Sequence, residues 1–549
     1  MRLAPWLSLL LTLALTAQTP RGLVVSQETL ASEAGAQVLR DGGTAVDAAV
    51  ATAFALAVVH PAAGNLGGGG FLLSRKADGA ATFLDFREKA PAAAHPRMWL
   101  KDGVYDKDLH HESLASVGVP GSVAGLREAW RRQGRLPWAR LLRPAQRLAQ
   151  EGFVLTENQA ASLAAQLPAF RRHAPTLAQF SRGGEPLRAG DRLVQPELAR
   201  TLARLSRDWR DFYRGATARL IVQDMAAHGG LIKAADLKAY RPILREPLRG
   251  TYRGVGILAA PPPSSGGQVL LQSLGILEGF DLKALGAGSP GAVHLTAEAL
   301  RRAFADRARY LADPDFNPDL PLARLLSKAH AEELRATIRK DRASTSDPAR
   351  FIWPAERPDT THLSVVDRRG NAVSLTTTLE DSYGLRRIVP GAGFLLNNEL
   401  GDFNAGPGLT DATGLIGTEP NLARPGQRPL SSMCPVILHR DGAVLLVSGS
   451  PGGRTIPSTV LGTVLNVVDF GMDARAAVDA PRFHHQWLPD RIQVEAALPV
   501  ATREALKAIG HTLLEVRHQG SAQVILLRQG RPEGAADTLR SSDSGAVAE

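Results

Sequence analysis

Asp359-Thr-Thr-His362 is followed at once by Leu363-Ser-Val-Val-Asp-Arg-Arg-Gly-Asn-Ala-Val-Ser-Leu375, which predicts a β-hairpin because apolar and polar residues alternate around an Arg-Gly-Asn turn. The preceding residues, 344–358, are polar and rich in turn-forming residues, as in a loop. If the chain is cut before Thr360, the new α-amino group titrates near neutral pH and can accept the proton of the threonine hydroxyl. Thr360 is therefore a candidate nucleophile of the N-terminal type. The alternative is that paired threonines at a strand start are simply β-branched strand formers.

Three more threonines, Thr376 to Thr378, lie on the returning strand of this hairpin. In a tight antiparallel pair, one of their hydroxyl groups would lie near Thr360 and help to orient it. An ordinary β-branched strand is the alternative, and it fits Thr376 and Thr377 better than it fits all three.

Charged residues that could hold a substrate lie on both sides of the hairpin in the sequence. Glu380, Glu399 and Asp402 follow it among apolar and glycine-rich segments, and together they could hold an ammonium group. Each of them alone would more commonly be a surface charge. Arg87 ends a predicted strand and could bind a carboxylate through two N–H groups. A structural salt bridge, for example with Glu88, explains Arg87 equally well.

Two small-residue segments, Ser431-Ser432 and Gly449-Ser-Pro-Gly-Gly453, each follow or end a predicted strand. The second precedes a predicted helix near Thr455. The free N–H groups of Gly452 and Gly453 at that helix start could form an oxyanion hole. A plain strand-to-helix turn is the alternative, and for this segment alone it is the better one.

The composition is that of a globular protein, with 549 residues, 44% hydrophobic and 21% charged. The net charge of +10 comes from scattered arginines without a run of like charges, so we expect no nucleic-acid partner. The adjacent histidines at 110–111 and 484–485 would point apart on a strand or a helix. No His-Glu-x-x-His or cysteine ligand set occurs, so neither a metal nor an organic cofactor is expected.

The N-terminus has the pattern of a secretory signal peptide. Arg2 precedes an apolar run from Leu7 to Leu15, and cleavage after Ala17 would remove residues 1–17, although Leu15 is unusual at the −3 position. The run is shorter than the roughly 20 residues of a membrane span. We therefore expect an exported protein, periplasmic or secreted; a retained anchor or a cytosolic start is the alternative. Cys434, the only cysteine, excludes an internal disulfide.

Helical and strand patterns alternate along the rest of the chain. Helices are predicted over residues 26–39, 44–58 and 293–311, and hairpins over residues 363–379 and 434–448. Helices in mixed order with antiparallel strand pairs predict an α+β fold, an αββα sandwich of stacked, mainly antiparallel sheets flanked by helices.

Together these motifs resemble the γ-glutamyltranspeptidase family of N-terminal nucleophile hydrolases over nearly the whole chain after residue 17. The strings that carry the resemblance are Leu39-Arg-Asp-Gly-Gly-Thr-Ala-Val-Asp-Ala-Ala49, Leu84-Asp-Phe-Arg-Glu88, Gly118-Val-Pro-Gly121, Asp359-Thr-Thr-His362, Leu396-Asn-Asn-Glu399, Arg428-Pro-Leu-Ser-Ser-Met433, Gly449-Ser-Pro-Gly-Gly453 and Ala480-Pro-Arg-Phe-His-His485. The resemblance implies that the precursor cuts itself between Asp359 and Thr360. A large subunit, residues 18–359, and a small subunit, residues 360–549, would then stay associated as one intertwined catalytic domain.

The resemblance also implies a role for each candidate residue. Thr360 would be the nucleophile, and Thr378 would hydrogen-bond it during processing and catalysis. The groups that bind substrate would be Arg87, Ser431 and Ser432 for the α-carboxylate, Glu380, Glu399 and Asp402 for the α-ammonium, and the N–H groups of Gly452 and Gly453 for the oxyanion.

Two departures from the family pattern stand out. Cys434 replaces the Ser or Thr of many relatives, a change between small residues that should have little effect. The segment Pro407 to Thr418 matches in length the lid loop of enterobacterial relatives but has Thr413 in place of an aromatic residue, which leaves the acceptor preference open.

The activity implied is acyl transfer from γ-glutamyl amides such as glutathione, through a Thr360 acyl-enzyme, to water or to the amino group of amino acids and peptides. One alternative is a glutaryl or cephalosporin-type acylase on the same scaffold. A glutaryl group lacks the ammonium, so the three carboxylates would then have no purpose. The other alternative is a catalytically silent secreted binding protein, which would not need Thr360, Thr378 or the paired glycines.

Overall fold

The computed structural model describes residues 22–346, 359–409 and 418–549, with only the backbone of Asp359. The predicted signal peptide, residues 1–17, lies outside the described residues, as does Thr413 with most of the predicted lid segment.

Two stacked antiparallel sheets form the centre of the described part of the chain. Sheet 1 contains, in spatial order, β4 (Ile243–Arg245), β3 (Ala81–Asp85), β2 (Gly69–Arg75), β8 (Ala372–Glu380), β7 (Asp359–Val366), β1 (Leu23–Ser26) and β13 (Gly545–Ala548). Sheet 2 contains β5 (Leu248–Tyr252), β6 (Val255–Ala259), β9 (Val436–Arg440), β10 (Ala443–Ser448), β11 (Gln523–Arg528) and β12 (Arg531–Ala536). Shorter strands lie at the periphery, at Leu100–Lys101, Val104–Tyr105, Phe153–Val154, Ser181–Arg182, Glu185–Pro186, Arg192–Leu193, Phe483–His484, Ile492–Glu495 and Leu513–Val516.

Helices surround the two sheets. They are α1 (Thr29–Arg40), α2 (Ala45–Val59), α3 (Lys107–His111), α4 (Ser122–Gln133), α5 (Trp138–Glu151), α6 (Glu157–Phe170), α7 (Ala174–Phe180), α8 (Pro196–Arg207), α9 (Asp211–Arg214), α10 (Ala216–Ala227), α11 (Ala234–Ala239), α12 (Gly266–Leu277), α13 (Leu282–Leu285), α14 (Pro290–Tyr310), α15 (Leu322–Leu325), α16 (Lys328–Ala336), α17 (Ile456–Val468), α18 (Ala474–Asp479) and α19 (Val500–Ala508). No helix in the described ranges is long and apolar enough to cross a membrane.

The alternation in the predicted hairpin decides which side chains face which layer. In β7, Leu363 and Val365 join the apolar cluster that sheet 1 forms with α1, α2 and α5. Ser364, which lies between them, points the opposite way, toward sheet 2. Its Oγ donates a hydrogen bond to the carbonyl of Gln523 at 2.9 Å. Because side chains of a strand alternate between its two faces, Thr360 and His362 also lie between the sheets.

One layer of helices packs on the outer face of each sheet. Helix α2 begins with a capping box between Thr44 and Asp47, and all of its residues are buried against sheet 1 and neighbouring helices. Helices α12 and α17 share a buried cluster with sheet 2, with Leu270 and Val460 among its members. This arrangement is the predicted αββα sandwich, and the prediction is confirmed.

Candidate active site

Thr360 lies opposite Thr378 across the β7–β8 ladder, so register selects Thr378 from the three threonines that the hairpin pattern offered. The register shifts between Asp359 and Thr360, so that Asp359 lies opposite Glu380. Thr378 Oγ1 accepts a hydrogen bond from the backbone N–H of Glu380 at 2.9 Å. The Thr360 side chain is 5% exposed, which leaves its hydroxyl at the wall of a cleft rather than in bulk water.

A narrow cleft brings together most of the predicted site residues. Its lining includes Arg87, Thr360, Thr378, Glu380, Glu399, Asp402, Ser431, Ser432 and Gly453, together with the apolar side chains of Met433 and Ile456. Gly452 precedes Gly453 in the chain without lining the cleft itself. Residues from distant parts of the sequence therefore meet beside Thr360.

Arg87 is completely buried two residues after β3 ends. Its guanidinium forms ion pairs with Glu399 and Asp402 and donates to the carbonyl oxygens of Pro429 at 3.3 Å and Leu430 at 3.2 Å. The carboxylate partners of Arg87 thus lie within the cleft itself. This geometry is compatible both with an arginine that binds a substrate carboxylate and with one that forms a structural salt bridge.

Glu399 and Asp402 lie on one short 3₁₀ turn, Glu399–Asp402. The Asn397 side chain fixes the start of this turn: its oxygen accepts from the N–H groups of Gly118 at 2.8 Å and Glu399 at 3.0 Å. Its amide donates to the carbonyl oxygens of Gly67 and Gly118. Burial raises the pKa of Glu399, and Arg87 opposes that rise. Asn397 belongs to the segment Leu396–Glu399 that carries the family resemblance, but its positioning role was not predicted.

Glu380, the third predicted carboxylate, ends β8 with a φ of +80°. This left-handed region is uncommon for residues other than glycine, and such strain is concentrated at functional sites. The unusual backbone turns the Glu380 side chain into the cleft, where it is 9% exposed.

The Ser431-Ser432 segment is held by groups that the sequence analysis did not single out. Ser432 Oγ accepts from Arg307 of α14 at 3.0 Å, and Arg307 also donates to Ser265 Oγ at 2.6 Å. The N–H and the hydroxyl of Ser265 both donate to the carbonyl of Ser431 at 2.7 Å. An arginine in the last turn of a helix is common and carries no motif, so nothing in the sequence distinguished Arg307 from the many surface arginines.

Gly452 and Gly453 have φ values of +132° and +52°, a combination that favours glycine. A β-carbon on Gly452 would lie 2.5 Å from Thr455 Oγ1, so the close approach also requires glycine. A 3₁₀ turn, Gly453–Thr455, leads directly into α17. N–H groups at such a helix start are available for a bound oxygen.

His362 lies two residues from Thr360 but is held as a neutral, fully bonded ring. Ser364 Oγ donates to Gln523, so it accepts the Nε2–H of His362 at 3.2 Å; His362 Nδ1 is then the acceptor for Thr376 Oγ1–H at 2.8 Å. Burial lowers the pKa of His362 to about 3. This histidine is therefore not the base that activates Thr360.

Within the described ranges, one grouping of possible metal ligands occurs, at His294, Glu298 and His511, away from the cleft. His294 Nδ1 and His511 Nε2 are hydrogen-bonded to each other at 2.8 Å. The Glu298 carboxylate is paired with Arg301 and Arg302. These atoms already have partners without an ion.

Comparison with known proteins places the chain in a family. The family described as Gamma-glutamyltranspeptidase matches residues 31–547. The chain is 46% identical to the glutathione hydrolase proenzyme of Pseudomonas sp. (strain A14), over 89% of this chain and 86% of that protein. It is 40% identical to the acylase ACY 1 proenzyme of Pseudomonas sp. (strain SE83), over 90% of this chain and 87% of that protein.

The solved structure of a cephalosporin acylase from Bacillus halodurans has a similar fold. Its TM-score is 0.85 at 27% sequence identity, covering 97% of this chain and 96% of that chain. Fold, cleft and sequence thus agree, and the chain belongs to the γ-glutamyltranspeptidase family.

Proposed function

We propose that this protein is an autoprocessing γ-glutamyl acyltransferase and hydrolase that cleaves γ-glutamyl amides such as glutathione. The observation that carries the proposal is the cleft beside Thr360, which combines a nucleophile with groups of both charges. A γ-glutamyl donor ends in an α-carbon that bears both a carboxylate and an ammonium group, and the cleft offers a partner for each.

Maturation begins when Thr360 Oγ attacks the carbonyl carbon of Asp359. The peptide C–N bond breaks, the acyl group moves to the hydroxyl oxygen, and the Thr360 nitrogen takes up the proton. Water then hydrolyses this ester, which leaves a carboxylate on residue 359 and a free amine on Thr360. Thr378 faces Thr360 across the ladder and orients its hydroxyl. The products are a large subunit ending at 359 and a small subunit starting at 360, associated as a heterodimer.

In turnover, Thr360 Oγ attacks the γ-carbonyl of the donor while the Thr360 amine accepts the hydroxyl proton. The N–H groups of Gly452 and Gly453 stabilise the oxyanion. The tetrahedral intermediate collapses, and the amine passes the proton to the departing nitrogen. Water, or the α-amino group of an amino acid or peptide, then attacks the acyl-enzyme and regenerates Thr360.

The balance of charge in the cleft favours glutamyl over glutaryl donors. One guanidinium, Arg87, faces three carboxylates, Glu380, Glu399 and Asp402. A glutaryl group brings another negative charge and no cation, whereas a glutamyl group brings one of each sign. Ser431 and Ser432 would complete the carboxylate site with Arg87. The acylase relatives make the glutaryl alternative worth testing directly.

Export to the periplasm or outside the cell is part of the proposal and rests on the pattern of residues 1–17. Cleavage after Ala17 would leave a large subunit of residues 18–359.

The test compares γ-glutamyl-anilide and glutaryl-anilide hydrolysis, each with and without a dipeptide acceptor. We expect turnover of the glutamyl compound by the purified protein and none by Thr360→Ala, the matched control. Faster turnover of the glutaryl compound would favour the acylase alternative. A protein that remains one chain on a denaturing gel and turns over neither compound would favour the silent binding protein.

A further inference from the structure

Glu88 is completely buried and takes no part in the proposed reaction. Two glycines make room for it. A β-carbon on Gly69 would lie 2.5 Å from Glu88 Oε2, and one on Gly118 would lie 2.7 Å from Glu88 Cβ. Gly69 is the residue of β2 that pairs with Thr378. The Glu88 carboxyl group therefore packs against the strand residue that backs the active-site threonines.

The charges around Glu88 do not balance if every carboxyl group is ionised. Arg87 Nη1 lies 3.7 Å from Glu88 Oε2, too far for a hydrogen bond, and the same guanidinium is already paired with Glu399 and Asp402. Among the described residues, neither carboxyl oxygen of Glu88 has a hydrogen-bond partner, and neither does Glu399 Oε2. A buried carboxyl group without donors takes up a proton rather than remain charged.

The other ionisable groups nearby do not supply the missing donor. The buried phenols of Tyr213 and Tyr240 donate to the carbonyl oxygens of Pro120 and Arg87. Asp381 adds negative charge near Glu399 but is itself paired with Arg386 at 3.1 Å.

We propose that Glu88 is a neutral, protonated acid that donates a hydrogen bond to the ionised Glu399, and that it is a positioning residue for the donor site. Both carboxyl groups lie beside the same Arg87 Nη1, Glu88 through Oε2 and Glu399 through Oε1. One proton between them then supplies a donor to Glu399, whose Oε2 has none. The proton belongs on Glu88 because Glu399 is the member of the pair in direct contact with Arg87. Glu399 keeps its negative charge, and the hydrogen bond holds its carboxylate in a fixed orientation toward a substrate cation.

The pKa of Glu88 agrees with this geometry. Burial, and next the charge of Glu399, raise it well above its usual value, against the opposing effect of Arg87. Two carboxyl groups that share a site cannot both ionise easily. Between the usual glutamate pKa and the raised one, the folded protein holds a proton that the unfolded chain has released. The free energy of unfolding therefore falls as pH rises through this interval.

The experiment compares Glu88→Gln, Glu88→Ala and the control Glu298→Gln. A glutamine keeps the shape and a donor of the neutral acid, so Glu88→Gln should match the wild-type Tm at acid pH, where Glu88 is protonated in both states, and should lose the fall in Tm with rising pH. At pH 7 its Tm should therefore lie above that of the wild type. Glu298 is buried and ionised between two arginines, so Glu298→Gln should lower Tm. An infrared difference spectrum, wild type minus Glu88→Gln, should show the C=O stretch of a protonated carboxyl group.

Kinetics provides a second readout, which rests on the proposed function. Glu88→Ala should raise KM for γ-glutamyl-anilide by about tenfold or more, since it removes a hydrogen bond to a charged group. In the wild type KM should rise at alkaline pH, because Glu88 then loses the proton that it shares with Glu399. Glu88→Gln should restore KM and abolish this rise. A carboxylate signal in the infrared spectrum, or equal damage by both variants, would overturn the proposal. The infrared and Tm measurements do not require catalysis. Inactivity on γ-glutamyl donors would therefore refute the proposed function without affecting the test of the Glu88 proton.

Discussion

At the scale of single residues, the one guanidinium of the cleft is paired with two of its three carboxylates. Arg87 is paired with Glu399 and Asp402, which are the residues proposed to bind the donor ammonium. A zwitterionic donor can exchange these partners: its carboxylate takes the guanidinium, and its ammonium takes the carboxylates. An anion without an ammonium group would break the pairs and leave the carboxylates unmatched, which is costly where water is excluded.

Asp402→Ala tests this exchange of partners. Removing one member of a desolvated charge pair typically costs about 2–5 kcal/mol, so kcat/KM for γ-glutamyl-anilide should fall roughly 30-fold or more. Glutaryl-anilide, which offers no ammonium, should lose much less. Both are measured on one preparation. An equal loss for the two compounds would mean that Asp402 does not bind the ammonium.

Arg87→Lys distinguishes an arginine that binds the substrate carboxylate from one that only stabilises the fold. A lysine ammonium keeps the charge but cannot present two N–H groups in one plane. Self-cleavage involves no substrate carboxylate, so we expect normal processing together with a substantially raised KM for γ-glutamyl donors. Processing is read on a denaturing gel and KM on the same sample. Normal processing with an unchanged KM would remove Arg87 from the binding site, and failure of both would indicate a structural role.

At the scale of elements, the turn from β10 into α17 carries the proposed oxyanion hole. Gly452→Ala would place a β-carbon 2.5 Å from Thr455 Oγ1 at a φ of +132°. We expect kcat to fall by about 100-fold or more with little change in KM, because the N–H groups act mainly on the transition state. Gly442→Ala is the matched control: its φ is +80°, but nothing lies within 4 Å of the added carbon. A loss of kcat as large in the control would assign the effect to backbone strain alone.

Elements with a strong local pattern were predicted well. The helices predicted over residues 26–39 and 44–58 are α1 and α2, displaced by one to three residues. The hairpin predicted from residue 363 begins four residues earlier, at Asp359, because tertiary pairing continues the ladder past the apolar alternation. For the same reason the sequence alone could not choose between Thr376, Thr377 and Thr378; register across the ladder sets Thr378 opposite Thr360.

The long-range contacts of the site could not be predicted from the sequence. Arg307 reaches Ser432 from the last turn of α14, and Asn397 ties Gly67 and Gly118 to the turn at Glu399. The spacing of these residues along the chain carries no local period, so only the folded topology brings them together. Local chemistry likewise favoured a simple turn at Gly452 and Gly453; the family resemblance, not the spacing, selected the oxyanion role.

At the scale of the whole molecule, both sheets mix strands from before and after the proposed cleavage site. In sheet 1, β8 pairs with β2 and β7 pairs with β1. In sheet 2, β9 pairs with β6. Each of these ladders would join the large subunit to the small one, with the apolar clusters of both layers shared between them. A cut before Thr360 therefore removes one covalent bond and none of the strand pairing.

The two subunits should consequently separate only when the molecule unfolds. With an affinity tag at the C-terminus, the processed protein should retain the large subunit on the resin in native buffer and elute from gel filtration with the Thr360→Ala precursor. Increasing denaturant should release the large subunit at the concentration where circular dichroism reports loss of secondary structure, because dissociation requires breaking the central ladders of both sheets. The precursor serves as the covalent control and should unfold without releasing any chain. Release of the large subunit well below the unfolding transition would show that the strands pair within each subunit rather than between them.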